Sequence, residues 1–496
     1  MLRQIPLSAL LLGLASILPT TVASPFDKAE ALAECLSKSG VPTDSFESPD
    51  WKLDVSPFNL RLNYTPVGIV VPSNVQHIQD AVACAVRIGV KANAKCGGHS
   101  YGSFGLGGED GHLTIEMDRM NKIILDNTTG IARVEGGARL GHVASELYNQ
   151  GKRAVSHGTC PGVGVGGHAL HGGYGMSSHT KGLALDWIVG ATVVLANSTV
   201  VNCSKTENPD IFWAIRGAGS SIGIVTEFRF ATFQVPDVVT IFVAPVNWRT
   251  EAAATIGFKA VQDFALNEMP AELNMRLFIA KAFTNLEGLF YGDKAGLQAA
   301  LAPLMKKTNA TLALAQQGDW LAQVKHFGNG VNVDQTHPYN YHETFYSSSL
   351  YTNELNETQM AAFVSYWFKH AKSNKRDWYV QIDLHGGKTS AVSKPDPAET
   401  AYAHRDYLFM YLFYDRVDKG VYPTEGFTTV GNFVKNVTNT LEDNSWGQYI
   451  NYPDSRMDQE TAQARYWGQH LPRLQAIKKQ VDPDNLFHFP QGVLPA

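Results

Sequence analysis

Residues 95–108 read KCGGHSYGSFGLGG, and residues 157–175 read HGTCPGVGVGGHALHGGYG. Dense glycine lets successive backbone N–H groups turn toward one point, because no Cβ obstructs them. Nests of that kind bind anions, above all the pyrophosphate of a dinucleotide. One such stretch alone reads as a tight structural turn. Two of them, each with a reactive side chain at its centre, favour a cofactor site. The run Gly162-x-Gly164-x-Gly166-Gly167 nearly imitates a Rossmann fingerprint, which should follow a buried strand and open an apolar helix. Here it follows SHGTCP (156–161) and leads into more glycine and histidine, so a nicotinamide site is rejected.

The same stretches hold His157, His168 and His171, with His179 close behind. Imidazole is the commonest metal ligand. His168 and His171 are three apart, but the glycines around them argue against a shared helical face. Apart from Cys160, no acidic or thiolate partner sits at ligand spacing. No metal site is expected; loop histidines that hydrogen-bond a ligand or the backbone are.

Working outward, the 496 residues are 44% hydrophobic and 18% charged, enough to bury a large core and to exclude a disordered chain. At about 100–200 residues per domain, two to four domains are expected. A formal charge of −5, from 41 Lys+Arg against 46 Asp+Glu, leaves no broad basic surface, so no nucleic-acid partner is expected. Arg3, the apolar run at 7–18 and the small residues at 22–24 read as a signal peptide over residues 1–24. That run is too short for a spanning helix of about 20 residues, so no membrane anchor is expected. Sequons begin at Asn63, Asn127, Asn197, Asn202, Asn309, Asn356 and Asn436, in accord with a secreted, extracellular glycoprotein. Five cysteines are too few for a disulfide scaffold. One bridge between Cys35 and Cys84 would tie the amino-terminal segment to the next element, leaving Cys96, Cys160 and Cys203.

Helical spacing marks residues 75–90 and 137–151, the latter closed by Gly151 as a C-cap would be. Short β-branched runs lie at 68–71, 112–117 and 191–194, and 224–233 alternates as a half-buried strand should. The mixture reads as α+β. Pro236-Asp237 makes a boundary, after which aromatic-rich and alternating stretches such as 378–385 take over. A helical pattern at 466–481 precedes an extended tail.

The ordered motifs GGHSYGSFG (97–105), CPGVGVGGHALHGGYG (160–175), LDWIVGATVVL (185–195), DIFWAIRGAGSSIGIVTEF (210–228) and NLFHFPQGV (485–493) resemble the berberine-bridge-enzyme-like branch of the vanillyl-alcohol-oxidase flavoprotein superfamily. The resemblance runs from about residue 35 to the end. Within the branch it is nearest the secreted fungal gluco-oligosaccharide and xylo-oligosaccharide oxidases. It implies an FAD-binding domain at 25–236, a substrate-binding domain at 237–450 in which helices cover a sheet, and a segment at 451–496 that returns to the first domain. It implies an FAD joined through its 8α-methyl carbon to His99 and through C6 to Cys160. Gly97, Gly98, Ser100, Gly102, Gly158, Gly164, Gly167, His168 and Val225 are the residues expected around that cofactor. The partners implied are an oligosaccharide and dioxygen; the protein is expected to be a monomer.

By the same resemblance, Tyr452 falls on the general base, Tyr449 on a second tyrosine lining the cleft, and Asp383 on the carboxylate partner. Tyrosine, near pKa 10, is a poor base at neutral pH unless its anion is stabilised. The negative charge of Asp383 would only raise that pKa. Asp383 can therefore help by taking the proton, and the stabilising donor must lie elsewhere. Residues two apart on a strand share a face, which groups Tyr379 and Gln381 with Asp383 as a rim suited to carbohydrate. Tyr101 is expected to line the cleft. The gluco-oligosaccharide pattern would carry tryptophan at Tyr379 and glutamine at Leu412. An apolar Leu412 suits a pentose, which lacks the hydroxymethyl group, so xylo-oligosaccharides are favoured over gluco-oligosaccharides. The expected reaction oxidises the reducing-end anomeric carbon to a lactone, and then an aldonic acid, with hydrogen peroxide released. A flavin dehydrogenase of another alcohol, or a flavin-free glycan hydrolase with paired carboxylates, are the alternatives.

Overall fold

The computed structural model describes residues 25–335 and 341–496; the signal-peptide reading of residues 1–24 lies outside them. The helix Pro25–Lys38 is tied to the helix Val75–Ile88 by the Cys35–Cys84 disulfide. Asn74 caps the second helix through His77 N–H (3.0 Å), and Gly89, at φ +71°, ends it in the left-handed conformation that glycine takes without strain. These helices cover a four-stranded sheet, ordered Thr43–Asp44, Gly68–Val70, Leu113–Glu116, Ala92–Lys95. Beside it lies an antiparallel five-stranded sheet, ordered Ile123–Asp126, Ile131–Glu135, Ile224–Ala231, Ile188–Val194, Val200–Ser204.

A seven-stranded antiparallel sheet begins at Val239. Its order is Leu314–Gly318, Val239–Pro245, Thr284–Phe290, Leu273–Ala280, Asp377–Leu384, Phe409–Val417, Thr344–Thr352. Period-two alternation gives this sheet two faces of different chemistry. Trp378, Val380, Ile382 and Leu384 join a core with Phe258, Phe363 and Phe433 from the helices Glu251–Asn267, Glu357–Tyr366 and Thr424–Thr438. Asp377, Tyr379, Gln381 and Asp383 therefore fall on the opposite face.

Two local expectations change. Gly151 is the last helical residue of Leu140–Gly151, not its cap; Lys152 takes the left-handed position at φ +52°. Gly151 is needed for space, since a Cβ there would press on Asn127 and on Leu125. The pattern at 466–481 is split into Gln459–Trp467 and Leu471–Val481, with Gly468 at φ +45° and Pro472 at the junction.

The tail after Val481 runs back to the first sheet. Ala92 N–H donates to Leu486 O (3.0 Å), Asn93 Nδ2 to His488 O (2.8 Å), and Phe489 packs on Phe104 at 4.8 Å. A fully buried pair holds the turn: Lys478 Nζ donates to Asp482 (2.5 Å), to Ser221 O (2.7 Å) and to Phe487 O (3.1 Å). Asp482 in turn accepts from the backbone N–H of Leu486 and Phe487 at 2.6 and 2.9 Å. Breaking a buried pair by removing one partner leaves an uncompensated charge. Lys478→Met is accordingly expected to cost about 3–5 kcal/mol in urea unfolding, and Asp482→Asn a comparable amount, since it leaves the Lys478 ammonium without its counter-charge and turns one accepting oxygen into a donor facing a backbone N–H.

Candidate active site

The strand Ala92–Lys95 delivers the first glycine loop, in which Gly98 sits at φ +68°. The Lys95 side chain passes beneath it, 3.1 Å from where a Cβ on Gly98 would stand, and pairs with buried Glu116. The second loop is stitched to residues 138–141: Leu140 N–H donates to Val163 O (2.8 Å), Gly141 N–H to Pro161 O (3.0 Å), and Val165 N–H to Ala138 O (2.8 Å). The two loops meet at Gly97 and Gly164. A Cβ on Gly97 would fall among the backbone atoms of Gly162 and Gly164, and one on Gly164 would strike Cys96 Sγ and Gly97 N. Only glycine at both positions allows this approach.

Residues Val165–Ala169 form a short helix that the surrounding glycines had argued against. His168 lies in it and His171 beyond it. Their rings bind backbone: His168 Nε2 accepts from Gly158 N–H (2.8 Å) and His171 Nδ1 donates to Gly167 O (2.9 Å). His157 pairs with Gly158 O (2.7 Å), and His179 with Leu384 O (3.3 Å) and the Thr389 hydroxyl (3.0 Å). Among the described residues no group of three His, Cys, Asp or Glu could hold a metal ion.

Between the loops and the large sheet lies a cavity of about 240 Å³. Gly97, Gly98, His99, Ser100, Gly158, Cys160, Gly164, Gly167, His168 and Val225 line it from the amino-terminal half. Tyr101 of the first loop lines it as well, with Arg276, Gln381 and Asp383 from the large sheet, Tyr449 and Tyr452 from the segment after it, and Phe487 and Phe489 from the tail. Three expected residues stand elsewhere. Gly102 makes room for the Phe104 ring, which a Cβ would touch at 2.5 Å. Tyr379 stacks between Phe278 and Tyr414, at 5.2 and 4.8 Å. Leu412 is 3% exposed and packs with Phe345 and Tyr414.

The wall fits a flavin dinucleotide on its own chemistry. His99 lies against the Phe58 ring at 4.4 Å, and burial pushes its pKa down to about 3, with the Arg139 charge adding to the effect. A neutral imidazole keeps a nucleophilic nitrogen. Cys160 borders the same space, and at Gly167 a Cβ would meet nothing within 4 Å, so that backbone lies open to a bound group.

On the sheet side, a polar chain crosses three strands. Register pairs Arg276 with Asp383 on one side and with Glu287 on the other. Arg276 Nε donates to Glu287 Oε1 (2.7 Å), its Nη1 to Gln381 Oε1 (2.8 Å), and Gln381 Nε2 to Asp383 Oδ2 (2.7 Å). Burial raises the Asp383 carboxyl to about 6, with the Arg276 charge and the Gln381 hydrogen bond opposing. Tyr452 is pushed well above the ordinary tyrosine range by burial, then by the charge of Asp383; Arg276 opposes. Its ring stands 5.8 Å from Tyr101 and 5.2 Å from Tyr449. The Tyr449 hydroxyl is already engaged, accepting from Gly173 N–H (2.9 Å) and Asn451 Nδ2 (3.1 Å).

Arg276 is the residue that sequence reading missed. It stands alone among apolar neighbours in LNMRLFIA, and only strand pairing reveals what it faces. Its charge opposes the upward shift of both Asp383 and Tyr452. Tyr174, also on the wall and stacked on His385 at 5.6 Å, was passed over as part of the glycine motif.

A family model described as "FAD binding domain" matches residues 66–204, and one described as "Berberine and berberine like" matches 448–494. The chain is 49% identical over 488 residues to a xylooligosaccharide oxidase of Thermothelomyces thermophilus, covering 97% of this chain and 98% of that one. Among solved structures, xylooligosaccharide oxidase from Myceliophthora thermophila C1 in complex with xylobiose superposes with a TM-score of 0.92 at 49% identity, over 94% of this chain and 99% of that one. Glucooligosaccharide oxidase from Acremonium strictum, with a 6-S-cysteinyl, 8α-N1-histidyl FAD, superposes with a TM-score of 0.91 at 43% identity, over 94% and 99%. With its fold, its glycine-walled cavity and these likenesses in agreement, the chain belongs to the berberine-bridge-enzyme-like, vanillyl-alcohol-oxidase-type family of FAD-dependent oligosaccharide oxidases.

Proposed function

We propose that this is a secreted oxidase of the reducing-end anomeric carbon of xylo-oligosaccharides, with FAD bonded to His99 and Cys160. The observation that carries the reading is the pairing, across one cavity, of a neutral His99 and Cys160 with the Tyr452–Asp383–Arg276 set. When bound, FAD supplies the two-electron acceptor for the anomeric C–H, and dioxygen carries those electrons on to hydrogen peroxide.

The protein's own residues handle the proton. Tyr452 rests protonated, so it can accept the anomeric hydroxyl proton only as its own proton leaves. Asp383, ionised above about pH 6, receives it. Arg276 limits the negative charge that builds at this end of the cavity, and Gln381 holds the Asp383 carboxylate in place. Tyr101, its ring 20° from parallel with Tyr452, offers an apolar face to the sugar. The 49% identity to a xylooligosaccharide oxidase supports the choice of xylo-oligosaccharides.

Oxygen uptake with xylobiose, cellobiose, lactose and chitobiose side by side tests the substrate; the highest kcat/KM is expected for xylobiose, and a higher value for any hexose disaccharide would reverse the assignment. Acid-precipitated protein should stay yellow in the wild type and in the single variants His99→Ala and Cys160→Ala, and lose its colour only when both are changed.

Tyr452→Phe should lower kcat about 100- to 10,000-fold, the usual worth of general base catalysis. The pH profile of kcat/KM should carry an acid limb near 6, with activity rising as Asp383 deprotonates, and Asp383→Asn should remove it. Arg276→Gln takes away the cation that holds the Asp383 carboxyl down, so the limb should move up by about one unit or more. Arg276→Lys should leave it near its wild-type position.

A further inference from the structure

The sheet face that carries Asp383 continues away from the cavity. Along the strand Asp377–Leu384, the residues on this face are Asp383, then Gln381, then Tyr379. At about 3.4 Å per residue, Tyr379 stands roughly 14 Å from Asp383, farther than one pyranose spans. Tyr379 pairs in register with Ala280, and Ala280 N–H donates to Phe283 O (2.9 Å) at the hairpin tip. Phe283 and Phe278 therefore share the face of Asp383.

The rings form a continuous series. Phe283 lies 5.9 Å from Phe278 at 13°, Phe278 lies 5.2 Å from Tyr379 at 21°, and Tyr379 lies 4.8 Å from Tyr414 at 18°. The series begins among buried rings and ends at Phe283, which is 51% exposed. Singly exposed apolar residues are ordinary. This one closes a file of near-parallel rings that leads out from the catalytic end of the cavity. The polar rim beside it holds Asp377, whose carboxylate accepts from Arg416 Nε (2.7 Å) and is itself largely exposed. An aromatic surface for the C–H face of a sugar, next to an accessible carboxylate for its hydroxyls, is the chemistry of a carbohydrate platform.

We propose that Phe283 and Phe278 form a distal subsite for a glycosyl unit beyond the second, counted from the reducing end of a neutral oligosaccharide. The proposal rests on the oligosaccharide-oxidase reading above. Its occupant follows from continuity with the cavity: a chain oxidised at one end must leave along some surface, and this face runs directly from Asp383.

The test compares peroxide release from xylobiose, xylotriose and xylotetraose by the flavin-loaded wild type, Phe283→Ala and Phe283→Tyr. In Phe283→Ala, KM for the trimer and tetramer should rise about five-fold, the effect expected of one aromatic contact, while kcat and the xylobiose constants stay at wild-type values. Phe283→Tyr, which keeps the ring, should behave as the wild type. The subsite is overturned if Phe283→Ala leaves the longer substrates unaffected or weakens all three alike. It is equally overturned if the substitution instead abolishes a concentration-dependent dimer seen by light scattering, which would make Phe283 a contact between copies. If the wild type oxidises none of these sugars, it is the xylo-oligosaccharide reading on which the subsite rests that fails.

Discussion

The approach of Gly97 to Gly164 sets the geometry on which the rest of the site depends. The first loop is the continuation of a parallel strand and the second is stitched to residues 138–141, so neither has freedom to retreat. With no Cβ on either side, the two backbones come into contact, and His99 and Cys160 face one cavity from separate loops. A planar ring bonded at two points is fixed in position and in tilt. The protein thus spends glycine, the residue least favourable to order, where the cofactor's geometry must be most exact.

Burial then decides the state of each titratable group around that cavity. His99 and His168 are held neutral, and Tyr452 is held protonated. Asp383 is held at about 6, high enough to be a useful proton acceptor and low enough to be ionised at neutral pH. The same desolvation would make the carboxylate neutral and inert as a base if nothing opposed it. Arg276 and Gln381 oppose it, and Glu287 anchors Arg276 from the far side. The proposed relay would therefore be a property of three neighbouring strands, not of a tyrosine and an aspartate alone.

What the amino-acid sequence revealed, and what it hid, follows from the range of each signal. Period-two alternation is local, so it placed Tyr379, Gln381 and Asp383 on one face. It could not say that Tyr379 is sandwiched by Phe278 and Tyr414, because those contacts join strands about 100 residues apart or cross-strand neighbours set only by register. Arg276 was hidden for the same reason: a lone cation on a strand has meaning only when its partners Gln381 and Glu287 are known. Gly102 and Gly151 show the opposite error. Each was assigned a conformational or binding role, whereas each is needed to make room for a neighbouring side chain. The helix at Val165–Ala169 forms although its glycines disfavour it, since the N–H of Val165 is bonded to Ala138 outside the loop.

The two faces of the large sheet separate stability from chemistry. Trp378, Val380 and Ile382 are locked against Phe433 and its helices, so the strand Asp377–Leu384 cannot slide. A shift of one residue would exchange the faces, burying Asp383 among phenylalanines and exposing Ile382 to the substrate. The apolar core on one side is thus what aims the carboxylate on the other. Because the aim comes from the backbone and its packing, the side chains along the reactive face are free to differ. Leu412 and Tyr379 share the face of Asp383 but pack on Phe345, Phe278 and Tyr414 beside the cavity, so they steady the rings around them. The residues that hold the strand in register and those that reach the cavity, Gln381 and Asp383, point in opposite directions.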